Sequence, residues 1–102
     1  MIDHVTVPVR DYERSKEFYV QALRPLGYVV LLDWRDERRA YLGLPGRPSS
    51  LWLVESEPTG GVRICLAAPS AEATAALGGG LLDPDGNAIE VVYRDEPGLR
   101  AA

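Results

Sequence analysis

The feature that most restricts what this chain can fold into is an imperfect internal repeat. HVTVPVRD (4–11) aligns without gaps with RICLAAPS (63–70), and LWLV (51–54) matches IEVV (89–92). Each copy of the longer segment reads as a strand that leads through a proline into a polar helix cap, Asp11 in one copy and Ser70 in the other. Two copies of one strand–helix–strand unit predict an α+β fold of two modules in a single domain, about residues 1–57 and 61–94, with a loose tail at 95–102. The second module is abbreviated. Its shortfall lies between Ala71 and Leu82, where the first module predicts a longer helix and another strand.

Periodicity fills in the elements. Alternation over 2–9 (IDHVTVPV) puts Asp3, Val5, Val7 and Val9 on one face and Ile2, His4, Thr6 and Pro8 on the other. Asp11 caps a helix over roughly 12–24, with Ser15, Phe18, Tyr19, Ala22 and Leu23 as its buried stripe and Pro25 and Gly27 as its stop. Strands follow at 28–34, 38–44 and 51–55, with loops at 45–50 and 58–61. The second module reads as a strand at 62–68, a short helix from Ser70 to about Leu77, and a hairpin of Leu81–Leu82 with 88–94. The hairpin closes through the DPDGN turn (83–87), where Gly86 supplies a positive φ.

The repeat also places side chains. His4 and Thr6 correspond to Arg63 and Cys65, and Trp52 and Val54 correspond to Glu90 and Val92. If helices cover the apolar faces, His4, Trp52, Arg63 and Glu90 share the uncovered side of the sheet, a polar-lined ligand site. This parity argument fails wherever a strand carries a bulge.

Composition narrows the partners. A net charge of −4, with no basic run longer than Arg38-Arg39, argues against nucleic acid and anionic membranes. The lone cysteine, Cys65, allows no internal disulfide. No apolar run approaches the ~20 residues that span a bilayer. The N-terminus opens directly into patterned sequence, so a cytoplasmic protein is expected.

DHVTVPVRDYERSKEFY (3–19) and LLDPDGNAIEVVY (81–93) resemble the opening and the closing hairpin of the vicinal-oxygen-chelate superfamily, the glyoxalase, bleomycin-resistance and dioxygenase group. The resemblance implies paired βαβββ modules that curve a mixed sheet into a cup around a divalent metal. It puts the four metal-ligand positions at His4, Trp52, Arg63 and Glu90. Imidazole and carboxylate are metal ligands; an indole is not, and a guanidinium stays protonated and repels a cation. Catalytic zinc sites use three protein ligands, and non-haem iron oxygenases use two histidines and a carboxylate, whereas this chain has a single histidine. Glu55 cannot serve as a second carboxylate, because its parity is opposite to that of Trp52.

His4 and Glu90 are therefore the candidate metal ligands, for a divalent ion held weakly or not at all. Trp52, Tyr41, Arg63 and Thr6 are the candidate ligand-binding residues, the two aromatic rings stacking on the ligand. A buried Glu90 needs a partner, and Arg63 can supply it as an ion pair. Cys65 reads as a small buried apolar residue. Two functions follow from the resemblance: a metal-free binder of a small organic molecule, or a metal-dependent lyase, isomerase or transferase acting on an oxygenated substrate. Sheet edges left bare by the short second module predict a homodimer.

Overall fold

The computed structural model describes residues 2–58 and 61–93, so the predicted tail at 95–102 and the last residue assigned to the second module lie outside it. The first module runs β1 (Val5–Val9), α1 (Tyr12–Ala22), β2 (Val29–Trp34), β3 (Arg39–Gly43) and β4 (Leu51–Glu55). The second runs β5 (Arg63–Ala67), α2 (Ala71–Ala76), β6 (Gly80–Leu82) and β7 (Ala88–Val92). The strands form a four-stranded sheet, β1-β4-β3-β2, and a three-stranded sheet, β5-β7-β6.

The repeat read from sequence is kept to the residue. β1 runs parallel to β4 with Val5 opposite Leu51 and Thr6 opposite Trp52. β5 runs parallel to β7 with Ile64 opposite Ile89 and Cys65 opposite Glu90. The caps repeat as well: Asp11 accepts from the Arg14 N–H and Ser70 from the Ala73 N–H. The strand missing from the second module is the counterpart of β2, so β6 stands at a sheet edge where β3 is covered.

Local chemistry explains the element ends. The predicted helix over 12–24 stops at Ala22, and the chain tightens into a 3₁₀ turn over Arg24–Leu26, with Pro25 in its first turn, where the absent N–H costs nothing. The strand predicted over 2–9 begins only at Val5, so His4 precedes it. The Val face of β1 is buried, with Val7 and Val9 fully enclosed, together with Leu51 and Leu53 of β4 and Ala40 and Leu42 of β3. Tyr12, Ser15, Tyr19 and Leu23 supply the helix side of this core, while Phe18 is only partly buried.

A polar latch ties the modules together. Asp83, 5% exposed, accepts from the Tyr19 hydroxyl (2.6 Å), the Asn87 N–H and side-chain amide (both 2.8 Å) and the Asp85 N–H (2.9 Å). Asn87 in turn accepts from the Val62 N–H. Gly86 takes φ 82°, as the turn requires. Burial first, and then the Asp83 carboxylate, push the Tyr19 phenol well above its ordinary pKa.

Candidate functional site

Helix α1 packs on β3 and β4, so among the described residues the opposite face of the first sheet has no helix over it. Strand order then sets one row of side chains across it. Tyr41 of β3 lies opposite Trp52 of β4 in register, and their rings stack with centroids 3.9 Å apart and planes 2° from parallel. On the other side of Trp52 the ring of His4, the residue before β1, stacks at 3.3 Å and 9°. Trp34 of β2 closes the row, edge-on to Tyr41 at 4.7 Å. The indole N–H of Trp52 donates to Ser49 Oγ (3.0 Å), and Arg39 donates to the Tyr41 hydroxyl (3.4 Å).

This geometry changes how the aromatic residues can act. Both faces of Trp52 are already covered, by His4 and Tyr41, so a ligand reaches the edge of that ring rather than stacking on it. Tyr41 is 9% exposed and Trp34 is 38% exposed. Trp34, which parity alone did not assign to this face, is the ring with the most free surface. Thr6 lies exposed beside Trp52 on the same face.

The corresponding face of the second sheet is polar. Arg63 Nη1 lies 3.4 Å from Glu90 Oε1, with the side chains 77% and 45% exposed. The predicted ion pair is present, but Glu90 is half-exposed rather than buried. At that exposure screening leaves the pair little energy. Cys65 is exposed, against the expectation of a buried apolar residue, because strand β5 turns Arg63, Cys65 and Ala67 outward together. Gly80 occupies the position equivalent to Tyr41, and a Cβ there would come within 3.0 Å of the Ile89 carbonyl oxygen.

The four positions thus resolve into two pairs, His4 with Trp52 and Arg63 with Glu90. Among the described residues no three His, Cys, Asp or Glu side chains gather as a metal cluster. His4 lies flat on an indole with its Nδ1 2.9 Å from Asp3, and Glu90 sits beside a permanent cation. These residues do not fit a divalent metal centre. Glu55 does have the parity expected of it: it accepts from the Tyr12 N–H (3.0 Å) and from Arg38 (2.7 Å), contacts that hold its carboxyl below the usual range.

Similar folds occur in known proteins. One is TnmS3, an antibiotic-binding protein from Streptomyces sp. CB03234, at 27% identity and a TM-score of 0.71 over 93% of this chain and 96% of that one. Another is a glyoxalase/bleomycin resistance protein from Albidiferax ferrireducens T118, at 25% identity and a TM-score of 0.70 over 90% and 97%. An integron cassette protein from the mobile metagenome of a Halifax Harbour sewage outfall shares the fold at 21% identity and a TM-score of 0.71 over 92% and 98%. No curated protein sequence matches the chain. Residues 1–79 match the family model described as Glyoxalase/Bleomycin resistance protein/Dioxygenase superfamily.

Proposed function

The chain belongs to the glyoxalase/bleomycin resistance protein/dioxygenase superfamily, and on that premise we propose that it binds a small organic molecule on the open face of its first sheet, without metal chemistry. The observation that carries this reading is the pairing of His4 with Trp52 and of Arg63 with Glu90 at the positions where the superfamily resemblance implies a metal. An indole and a guanidinium contribute no ligand, and the two remaining donors are a weak set.

What replaces the metal suits an apolar ligand with polar handles. The row from His4 to Trp34 offers ring edges flanked by two accessible faces, those of Trp34 and of the outer side of His4. A flat aromatic ligand would lie along these edges and stack on Trp34. Tyr41 and Thr6 supply hydroxyls on that face, while Arg63 and Glu90 form a separate charged pair on the second sheet. The likeness to an antibiotic-binding protein favours sequestration over turnover.

We further propose that the chain works as a homodimer. Among the described residues the β2 and β6 edges are unpaired, and Val29, Leu32 and Leu82 stand 41%, 49% and 66% exposed beside them. A monomeric mass by light scattering at micromolar concentration overturns the dimer.

The binding reading is tested on purified protein by metal analysis, together with melting curves in the presence of nickel, zinc, manganese, iron, bleomycin and planar polycyclic antibiotics. The expected result is a shift with an organic compound alone, reduced in Trp34→Ala. Stoichiometric metal that is lost in His4→Ala or Glu90→Ala overturns the reading in favour of a metal-dependent lyase, isomerase or transferase.

A further inference from the structure

Alternation along β3 sends Ala40 and Leu42 into the core, and Arg39 and Tyr41 to the opposite, aromatic face. Register sets the neighbours of Arg39 there: Trp34 of β2 on one side and Val54 of β4 on the other. Among the described residues, Arg39 is the only arginine or lysine within the four strands of this sheet. It is the one positive charge that the sheet itself carries beside the rings.

Cations on the helix side of the sheet are committed to carboxylates. Lys16 Nζ lies 2.9 Å from Asp33, Arg35 Nη2 lies 2.9 Å from Glu13, and Arg38 Nε lies 2.7 Å from Glu55. Arg39 differs. Its Nη1 donates to the Tyr41 hydroxyl at 3.4 Å, a long contact to a neutral acceptor. The carboxylate that approaches it, Glu37 Oε1, stands 3.8 Å from Nε on an exposed side chain, too far for a hydrogen bond. Nε itself is enclosed and has no hydrogen-bond partner. The stem is thus held along the sheet, and the terminal amino groups are the donors that this partly exposed side chain offers.

Those donors sit at the one corner of the aromatic row that has free ring surface. Trp34 lies edge-on to Tyr41 at 4.7 Å and opposite Arg39 in register, so a ring, a hydroxyl and a guanidinium meet there. A flat ligand stacked on Trp34 brings its own edge over this corner. An oxyanion on that edge accepts charge-assisted hydrogen bonds from Arg39 and a further one from the Tyr41 hydroxyl. A neutral edge gains less, and an ammonium on the edge is repelled.

We propose, resting on the binding reading above, that Arg39 reads the charge of the ligand, and that the ligand is a flat aromatic molecule with a carboxylate on its edge. Glu37 competes weakly, because an exposed pair at this separation is screened by water. The net charge of −4 repels anions at long range, where salt screens it, so the preference arises from the contact with Arg39.

The experiment is a proton–nitrogen NMR titration of the full chain with three probes of one shape: 2-naphthoate, 2-naphthalenemethanol and 2-naphthylmethylammonium. The chain has two tryptophans, so the indole N–H signals of Trp34 and Trp52 report on the face directly. The expected result is a saturable shift of the Trp34 signal, with naphthoate binding about tenfold more tightly than the alcohol and the ammonium weakest. Arg39→Gln lowers naphthoate to the affinity of the alcohol and leaves the alcohol unchanged, a split that damage to the fold does not produce. Arg39→Lys keeps part of the preference, and Glu37→Gln strengthens naphthoate about twofold. Equal affinity for naphthoate and the alcohol, or a preference that survives Arg39→Gln, overturns the role of Arg39 and leaves the aromatic-face reading standing. Failure of all three probes in the millimolar range, or binding without a Trp34 shift, overturns that reading and the role of Arg39 together.

Discussion

The two sheets of this protein are built on one register and carry opposite surfaces. In the first, the row through Thr6, Trp52 and Tyr41 is aromatic and closed on itself; in the second, the same row is Cys65, Glu90 and Gly80, polar and open. The hidden faces differ less, because Leu51 and Leu53 find counterparts in Ile89 and Val91, all buried. Duplicated backbone pairing and a duplicated core stripe suffice to keep the module. The outward face is free to diverge, since no described helix packs on it.

The comparison locates stability as well. The first sheet has a fourth strand and an eleven-residue helix on it, while the second has three strands and a six-residue helix. The smaller module therefore leans on the latch at Asp83, which reaches across to Tyr19. Asp83→Ala is the substitution expected to do most damage. It strands a phenol, an amide and two N–H groups in a buried setting, and should cost about 3 kcal/mol in a denaturant titration. A loss under about 1 kcal/mol would mean that the second module stands without the latch.

Trp52→Ala comes next, at about 2 kcal/mol, since it empties a stacked position with a ring on each side. The same melting experiment on Glu90→Ala sets the scale for the second sheet. An exposed ion pair should register no more than about 0.5 kcal/mol. If the two substitutions cost the same, the contrast drawn between the sheets fails.

Tyr19 adds a pH dependence to the latch. Its folded pKa lies above the unfolded value, so the fold binds the phenolic proton more tightly than the unfolded chain does. The contribution is complete below about pH 10, where the unfolded phenol titrates, and is lost as pH rises through the folded value. Wild-type stability is thus expected to fall in the alkaline range. Tyr19→Phe should cost about 1.5 kcal/mol near neutrality and flatten that decline. An unchanged slope in the variant would assign the alkaline loss to other groups, such as Tyr12, whose phenol is also raised, first by burial and then by Asp33.

Much of the fold was legible in the linear pattern. Alternation in β1, β4 and β7, the two caps and the DPDGN turn are local signals, each enforced by a few consecutive residues. The aromatic row was legible only in part. Trp52 follows from the parity of the repeat and Tyr41 is expected as its companion in binding, but Trp34 follows from neither, because β2 carries a bulge between Val30 and Leu32. Val30 faces Leu42 on the buried side, and the extra residue Leu31 turns Leu32 and Trp34 to the open side. The exposure of Cys65 was missed for a related reason: strand five has no covered outer face, so small residues there are not enclosed.

The sequence by itself determined the module, its repetition and its register, because helix caps, turns and two-residue alternation are decided by near neighbours. It also determined that Trp52 and Arg63 cannot hold a metal, since that is a property of the side chains alone. The tertiary structure decided what those side chains do instead. Whether Trp52 is free to stack depends on the rings that meet it from just before β1 and from β3, and whether Glu90 needs Arg63 depends on how much water reaches it. The surface cleft lined by Arg10, Arg38, Glu55 and Asp85 belongs wholly to tertiary structure, since these residues are brought together only where two modules and a turn meet.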